Sequence, residues 1–357
     1  MANTEIIPVI DLGPYLAGAP GAIDRTSEEL RFALTEIGFY FIVNHGVPAE
    51  HIDAAFRQAA RFHALPLQKK LEVKIDKHNV GYLPMRGDTL RTSTVATVTK
   101  PNINEAFFVA RDLPSEHPDV VAERRFRSAN RWPASLPGFR EAVVAYCETM
   151  EQLVRKLVRL YARALRLPLE YFDEPFREPQ YKLRMTHYPY QADPADDEFG
   201  IAPHTDTSFL TLLAPNYVPG LSIRAQNGKW IDAPAIPRAF IVNGGQLLAT
   251  LDQRLFPRDP SSGRQPLRWR ALRSCVLLRQ QYRLAGGRCA DLRRARQPDK
   301  VPYNPLYGIH DPLPAANLER IRPRQVRRRM RRRVSGATIK NCVRRIRQPR
   351  GLGGMCR

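Results

Sequence analysis

No run of eighteen or more apolar residues occurs in this chain, so no segment of it is expected to span a membrane. The opening residues, Met1 to Pro8, do not set a basic segment before an apolar stretch. A secretory leader is therefore not expected, and the cytoplasm is the expected compartment. Residues 1–249 have almost no net charge, with 28 basic residues against 29 acidic ones, and a single cysteine, Cys147. The excesses lie at the other end. Residues 250–357 hold 26 Arg and 2 Lys against 6 acidic residues, and they hold Cys275, Cys289, Cys342 and Cys356. The formal net charge of +21 thus averages two different kinds of sequence. A pull toward nucleic acid or an anionic surface, the usual meaning of such a charge, could reside only in the last stretch. That stretch has no Cys-x-x-Cys pair and no aromatic residues interleaved with the basic ones.

What is present suits one large domain, or a core with a smaller lobe: 357 residues, 43% hydrophobic. Ile7-Pro-Val-Ile-Asp-Leu12 reads as a short strand. Thr26 with Glu29 three residues on resembles a capping box opening a helix, whose apolar face would be Leu30, Phe32, Ala33 and Ile37. Gly38-Phe-Tyr-Phe-Ile-Val-Asn-His-Gly46 is a β-rich run, and Pro48 to Ala64 reads as helix. Residues 76–135 are loop-rich, the natural place for a lobe that encloses a substrate. From Phe139 to Leu167, apolar residues recur at threes and fours until Pro168 stops the helix. Strand-like segments then follow at 182–188, 208–213, 221–225, 230–233 and 239–242. Asn227-Gly228 marks a hairpin between two of them. Short strands in series point to a jelly-roll-type double sheet. Past Ala249 this order is expected to stop; Arg327-Arg-Arg-Met-Arg-Arg-Arg333 is low-complexity basic sequence.

Ala202-Pro-His-Thr-Asp206 carries the chemistry. On a strand, residues i and i+2 point to one face, so an imidazole nitrogen of His204 and a carboxylate oxygen of Asp206 can meet one metal ion. Such a pair supplies two ligands of a 2-His-1-carboxylate facial triad, which leaves open positions on iron(II). Two polar residues in an exposed turn would look the same, and the surrounding sequence decides between the two.

The opening strand, Gly38 to Gly46, Asn130-Arg-Trp-Pro133 with Leu136-Pro-Gly-Phe139, Tyr188-Pro189, Pro203-His-Thr-Asp206, Gly220-Leu with Trp230, and Asn243-Gly-Gly-Gln-Leu247 follow one another along residues 5–249. In kind and order they resemble the isopenicillin N synthase-like family of iron(II)- and 2-oxoglutarate-dependent oxygenases. The resemblance implies an α+β fold: a double-stranded β-helix (jelly-roll) core with an N-terminal helical and loop lobe. It implies Fe(II), 2-oxoglutarate as cosubstrate and O2, with 2-oxoglutarate decarboxylated to succinate while a small molecule is oxidised, usually by hydroxylation. His204 and Asp206 would bind the iron, and Tyr188 would donate its hydroxyl to 2-oxoglutarate. The family's Asn two residues before that Tyr is Thr186 here. His45 would be structural and His187 non-catalytic. Arg86, Arg91 and Asn104 are candidates for substrate contact, with a surface role as the alternative.

The pattern breaks after Ala249. The family has a second histidine fifty to sixty residues after the first, in a Thr-Pro-His-Arg-Val context, and later an Arg-x-Ser pair whose guanidinium grips 2-oxoglutarate. Neither occurs, and the third ligand is absent from this chain: the only histidine after Asp206 is His310. Asp259-Pro-Ser-Ser-Gly263 can be encoded GAC CCC TCA TCG GGT, which one base later reads Thr-Pro-His-Arg. The same register lets Val276 to Arg279 read Phe-Phe-Phe-Asp. A single-base frameshift near codon 250 would explain both the loss of motifs and the Arg-rich end. The expected division is 1–135 N-terminal lobe, 136–177 scaffold helix, 178–249 oxygenase core and 250–357 basic tail, disordered or out of frame. As written, the chain is expected to be inactive; a non-catalytic remnant and a non-specific nucleic-acid binder acting through the tail are the alternatives.

Overall fold

The computed structural model describes residues 7–89, 99–124, 126–191, 195, 198–214, 218, 220–224 and 228–248, and the backbone of 249–251, 267–269 and 275–283. The chain divides into two units, Met1–Asn304 and Pro305–Arg357, and every described residue belongs to the first. His310 and Arg91 lie outside the described residues.

In chain order the elements are β1 (Val9–Asp11), α1 (Gly13–Leu16), α2 (Ala22–Phe32) running into a π-helical turn (Ala33–Ile37), β2 (Phe39–Val43), α3 (Ala49–His63), α4 (Leu67–Leu71), β3 (Gly81–Leu83), β4 (Glu105–Ala110), α5 (Pro118–Val121) and α6 (Phe139–Ala164). A 3-10 turn (Leu169–Phe172) leads to β5 (Gln180–Tyr188), β6 (Ile201–His204), β7 (Leu210–Ala214), β8 (Leu221–Arg224), β9 (Trp230–Asp232), β10 (Phe240–Gly244), α7 (Gln246–Leu251), β11 (Leu267–Trp269) and β12 (Cys275–Arg283). Eight strands form one sheet in the order β1-β2-β10-β7-β12-β5-β4-β3, and β6-β11-β8-β9 form the other. The hairpin expected at Asn227-Gly228 is the antiparallel β8–β9 pair, with Gly228 at φ +84°.

Two cores follow from strand alternation. Along β5, Tyr181, Leu183 and Met185 face the helices and join Val143, Tyr146, Met150, Leu153, Leu157 and Tyr161 of α6. Tyr188 falls in the second core, between the sheets, with Phe39, Phe41, Leu213 and Ile241 from the large sheet and Ile201, Leu221 and Ile223 from the small one. Burial on both faces makes the large sheet the middle layer of the molecule. Among the described residues no helix is long and apolar enough to cross a membrane.

Three sequence expectations are corrected. The second helix starts at Ala22, not Thr26: Gly21 takes the left-handed conformation (φ +67°) that lets the chain enter early, and Thr26 is buried inside the helix with no capping role. The loop-rich span 76–135 contributes β3 and β4, since Ala106, Phe107 and Val109 are buried once β4 pairs with β5. Order does not stop at Ala249: β11 pairs with β6 and β8, and β12 pairs with β5 and β7. The lane between β5 and β7 presents two rows of backbone N–H and C=O groups that need partners. Those bonds do not depend on side-chain identity, and Cys275-Val-Leu-Leu278 has the strand propensity to fill the lane.

Candidate metal centre

His204 is the last residue of β6, and Asp206 lies just past the strand's end, so strand alternation alone does not aim its carboxylate. The Asn243-Gly-Gly-Gln-Leu247 segment does. Gln246 N donates to the Asp206 carbonyl at 2.8 Å, Leu247 N to Ser208 O at 3.2 Å and Gly245 N to Phe209 O at 3.0 Å. Gly245 permits this approach, for a Cβ there would stand 1.9 Å from Ser208 O. Asn243 Nδ2 donates to Asp206 Oδ2 at 3.2 Å, and Gln246 Nε2 donates to Thr205 Oγ1 at 2.7 Å.

His204 and Asp206 are both buried. His204 Nδ1 lies 2.8 Å from Ala202 O. A carbonyl only accepts, so Nδ1 carries the proton and Nε2 is directed at Asp206 Oδ1, 3.7 Å away. A carboxylate and an imidazole nitrogen facing each other at that distance call for a cation between them, either a proton or a metal ion. A backbone carbonyl fixing the tautomer of the imidazole is the arrangement metal-binding histidines use. Two atoms at this separation both reach one ion at bond lengths of about 2.0–2.2 Å. The pair therefore fits two of the three ligands iron(II) would take.

Tyr188 ends β5 and is buried between the sheets, and Thr186, two residues back on the same face, is buried as well. His45 is structural: Nδ1 accepts from Val47 N at 3.1 Å, so Nε2 donates to Arg238 O at 2.9 Å. Burial lowers its pKa, and the bond to Arg238 only partly opposes this. Arg86 is exposed. Asn104 is buried, donating Nδ2 to Gly200 O and accepting from Arg184 Nη2 at 2.9 Å.

Sequence reasoning missed a second polar cluster on the other face of β5. Among the described residues, His63, Glu105 and His187 form the one group of three ligand-type side chains whose atoms all lie within 4.8 Å of one another. Glu105 Oε1 is 2.8 Å from His187 Nδ1 and 3.6 Å from His63 Nδ1, and its Oε2 accepts from Lys70 Nζ at 2.7 Å and from the Tyr82 hydroxyl. Burial pushes the Glu105 carboxyl up, but these four neighbours together outweigh it and hold the group well below the usual carboxylate range. The Lys70 ammonium already neutralises the carboxylate, so the cluster reads as a structural ion network that ties α3 and α4 to β4 and β5. No spacing in the sequence announces it, because its members come from five separate elements, Tyr82 lying on β3.

The non-haem dioxygenase in morphine synthesis N-terminal family model matches residues 7–135, and the 2OG-Fe(II) oxygenase superfamily model matches residues 179–262. The 2-oxoglutarate-dependent dioxygenase citB of Monascus ruber is 32% identical over 259 residues, 69% of this chain and 76% of that protein. Clavatol oxidase claD of Penicillium crustosum is 32% identical over 266 residues, 69% and 78% of the two chains. A full-length Neurospora crassa protein crystallised in complex with alpha-KG and thymine superposes with a TM-score of 0.66 at 23% identity, over 80% of this chain and 87% of that one.

Proposed function

Because this chain belongs to the isopenicillin N synthase-like branch of the 2-oxoglutarate–iron(II) oxygenase superfamily, we propose that His204 and Asp206 hold its iron and that Tyr188 holds its cosubstrate. The enzyme class is a dioxygenase dependent on Fe(II), 2-oxoglutarate and O2, acting on small molecules. The bound iron supplies the activation of O2, coupled to decarboxylation of 2-oxoglutarate to succinate and carbon dioxide. The protein's own part is positional. Ala202 O holds His204 in the tautomer that leaves Nε2 as the ligand atom. Asn243 holds one Asp206 oxygen, which orients the other toward His204. The Tyr188 hydroxyl donates to the cosubstrate from a face shielded from water by the second core. The single observation that carries this reading is the buried His204 Nε2–Asp206 Oδ1 pair with its fixed tautomer.

The third ligand is the histidine that a one-base shift near codon 250 would restore. One observation supports that reading. β12 lies between β5 and β7, although its residues match none of the family's motifs.

The test is anaerobic calorimetric titration of Fe(II) into the full chain and into the frame-restored chain. Weak binding by the first and tight binding by the second is expected, with both lost in His204→Ala and Asp206→Ala. In the frame-restored chain Tyr188→Phe should raise the 2-oxoglutarate KM, as fits a lost hydrogen bond worth roughly 0.5–1.5 kcal/mol. Equally tight binding by the chain as written would point to another third ligand and end the frameshift reading.

A further inference from the structure

Among the described strands β6 pairs only with β11, so it forms an edge of the small sheet. The outward backbone groups of an edge need partners from elsewhere. Residues 102–104, just before β4, supply them. Ile103 N donates to Phe199 O at 2.9 Å, Asn104 Nδ2 donates to Gly200 O, and Asn102 Oδ1 accepts from Ala202 N at 2.9 Å. Ala202 is also the residue whose carbonyl accepts from His204 Nδ1. That carbonyl belongs to the Ala202–Pro203 peptide unit, which has no N–H by which it could be held. A residue before proline is confined to extended backbone, so fixing the Ala202 N–H also fixes the direction of its carbonyl. The Asn102 backbone is itself anchored, its N donating to Asp88 O at 2.9 Å. A backbone N–H only donates, so the Asn102 atom facing Ala202 N is the oxygen. Its Nδ2 is then left buried and, among the described residues, without a hydrogen-bond partner. A buried donor left unpaired costs free energy, so it is the oxygen of this side chain that offsets the cost.

We propose that Asn102 is a positioning residue for the metal centre: by holding the Ala202 N–H it aims the Ala202 carbonyl, which keeps the proton of His204 on Nδ1 and turns Nε2 toward Asp206. This rests on the reading of the His204–Asp206 site above. The side chain touches neither metal nor cosubstrate and acts only through Ala202. An aspartate at this position would offer the same acceptor, whereas an apolar side chain of the same size would offer none.

The experiment combines hydrogen exchange of the Ala202 amide with anaerobic calorimetric titration of Fe(II), both on the full chain. In Asn102→Leu the Ala202 amide should exchange roughly ten-fold faster or more. Iron binding should weaken roughly ten-fold, as when a group that orients a metal-binding histidine is removed. Asn102→Asp should keep the protection and bind iron no more weakly than the parent. Asn104→Leu, which removes the neighbouring bond to Gly200 O and leaves Ala202 alone, should keep iron affinity within about two-fold. If leucine does not fit and Asn102→Leu fails to fold, Asn102→Ala is read in its place, since it removes the acceptor without adding bulk. Unchanged iron binding in Asn102→Leu with Ala202 exchange accelerated overturns the proposal. So does an Asn102→Asp chain that binds iron as poorly as Asn102→Leu, or an equal loss in Asn104→Leu, for then the pairing of the whole segment would be what matters. In each of these cases loss of iron binding in His204→Ala leaves the metal reading standing. Iron binding that survives His204→Ala sinks the metal reading itself, and with it the role of Asn102.

Discussion

Glu105 shows how much one side chain can hold in place. Its carboxylate is shared by Lys70, Tyr82, His187 and His63, and all but His187 are buried. Taking an ion pair out of water is costly, and removing one partner leaves the other charge uncompensated. Glu105→Gln should therefore destabilise the protein by roughly 3–5 kcal/mol, read as a fall in the denaturation midpoint. The pH dependence has a definite sign. A carboxyl whose folded pKa is depressed gives stability that is complete above its unfolded pKa of about 4.3 and is lost as pH falls below it. Burial lowers the pKa of His63, against the pull of Glu105, so the folded state also loses stability as the unfolded histidine protonates below about 6.5. Stability should thus decline in two stages on acidification. Melting from pH 8 to pH 3 should show the lower stage flattened in Glu105→Gln; an unchanged profile would show that the network contributes nothing through its charge.

At the scale of elements, the strand order decides more than any one strand does. β12 separates β5, which carries Tyr188 and Arg184, from β7, and β11 separates β6, which carries His204, from β8. Ending the chain at Ala249 would leave all four with an unpaired edge. Such a truncation should lose cooperative melting and aggregate, as measured by calorimetry and light scattering against the full chain. A soluble, cooperatively folded 1–249 fragment would show that residues 267–283 are dispensable to the sheets. The sequence did not disclose these two strands, because its apolar residues there follow no period; their place is set by unmet backbone bonds in the neighbouring strands. β4 was missed for a related reason: Phe107 and Val109 lie in a short apolar run among Gly and Pro, and only the pairing with β5 makes that run a strand.

For the whole molecule, charge asymmetry is the strongest signal: a neutral first part and a last part with 28 basic residues against 6 acidic ones. Such a distribution binds polyanions through counterion release, without reading sequence. The full chain should bind duplex DNA with an affinity that falls steeply between about 50 and 200 mM salt and does not distinguish between sequences, measured by fluorescence anisotropy. Salt-indifferent or sequence-selective binding would mean that the basic stretch is a built recognition surface.

The sequence by itself determined the family and the order of the motifs, and it singled out His204, Asp206 and Tyr188, because a metal and a cosubstrate demand particular side chains at fixed local spacing. It also located the long helix α6 and the β8–β9 hairpin, whose periodicity and turn residues are local. The tertiary structure decided what depends on neighbours far along the chain. Asp206 is aimed by Asn243 and Gln246, since it lies beyond the strand whose alternation was expected to direct it. Glu105 meets Lys70 and two histidines only after β4, β5, α3 and α4 pack together. Arg184 faces the interior because of the strand phase set by Leu183 and Met185, and it meets Asn104 and Phe108 only once β4 pairs with β5. Spacing along a chain encodes what one strand or helix can present; which groups meet, and which remain unsatisfied, depends on the packing of distant segments.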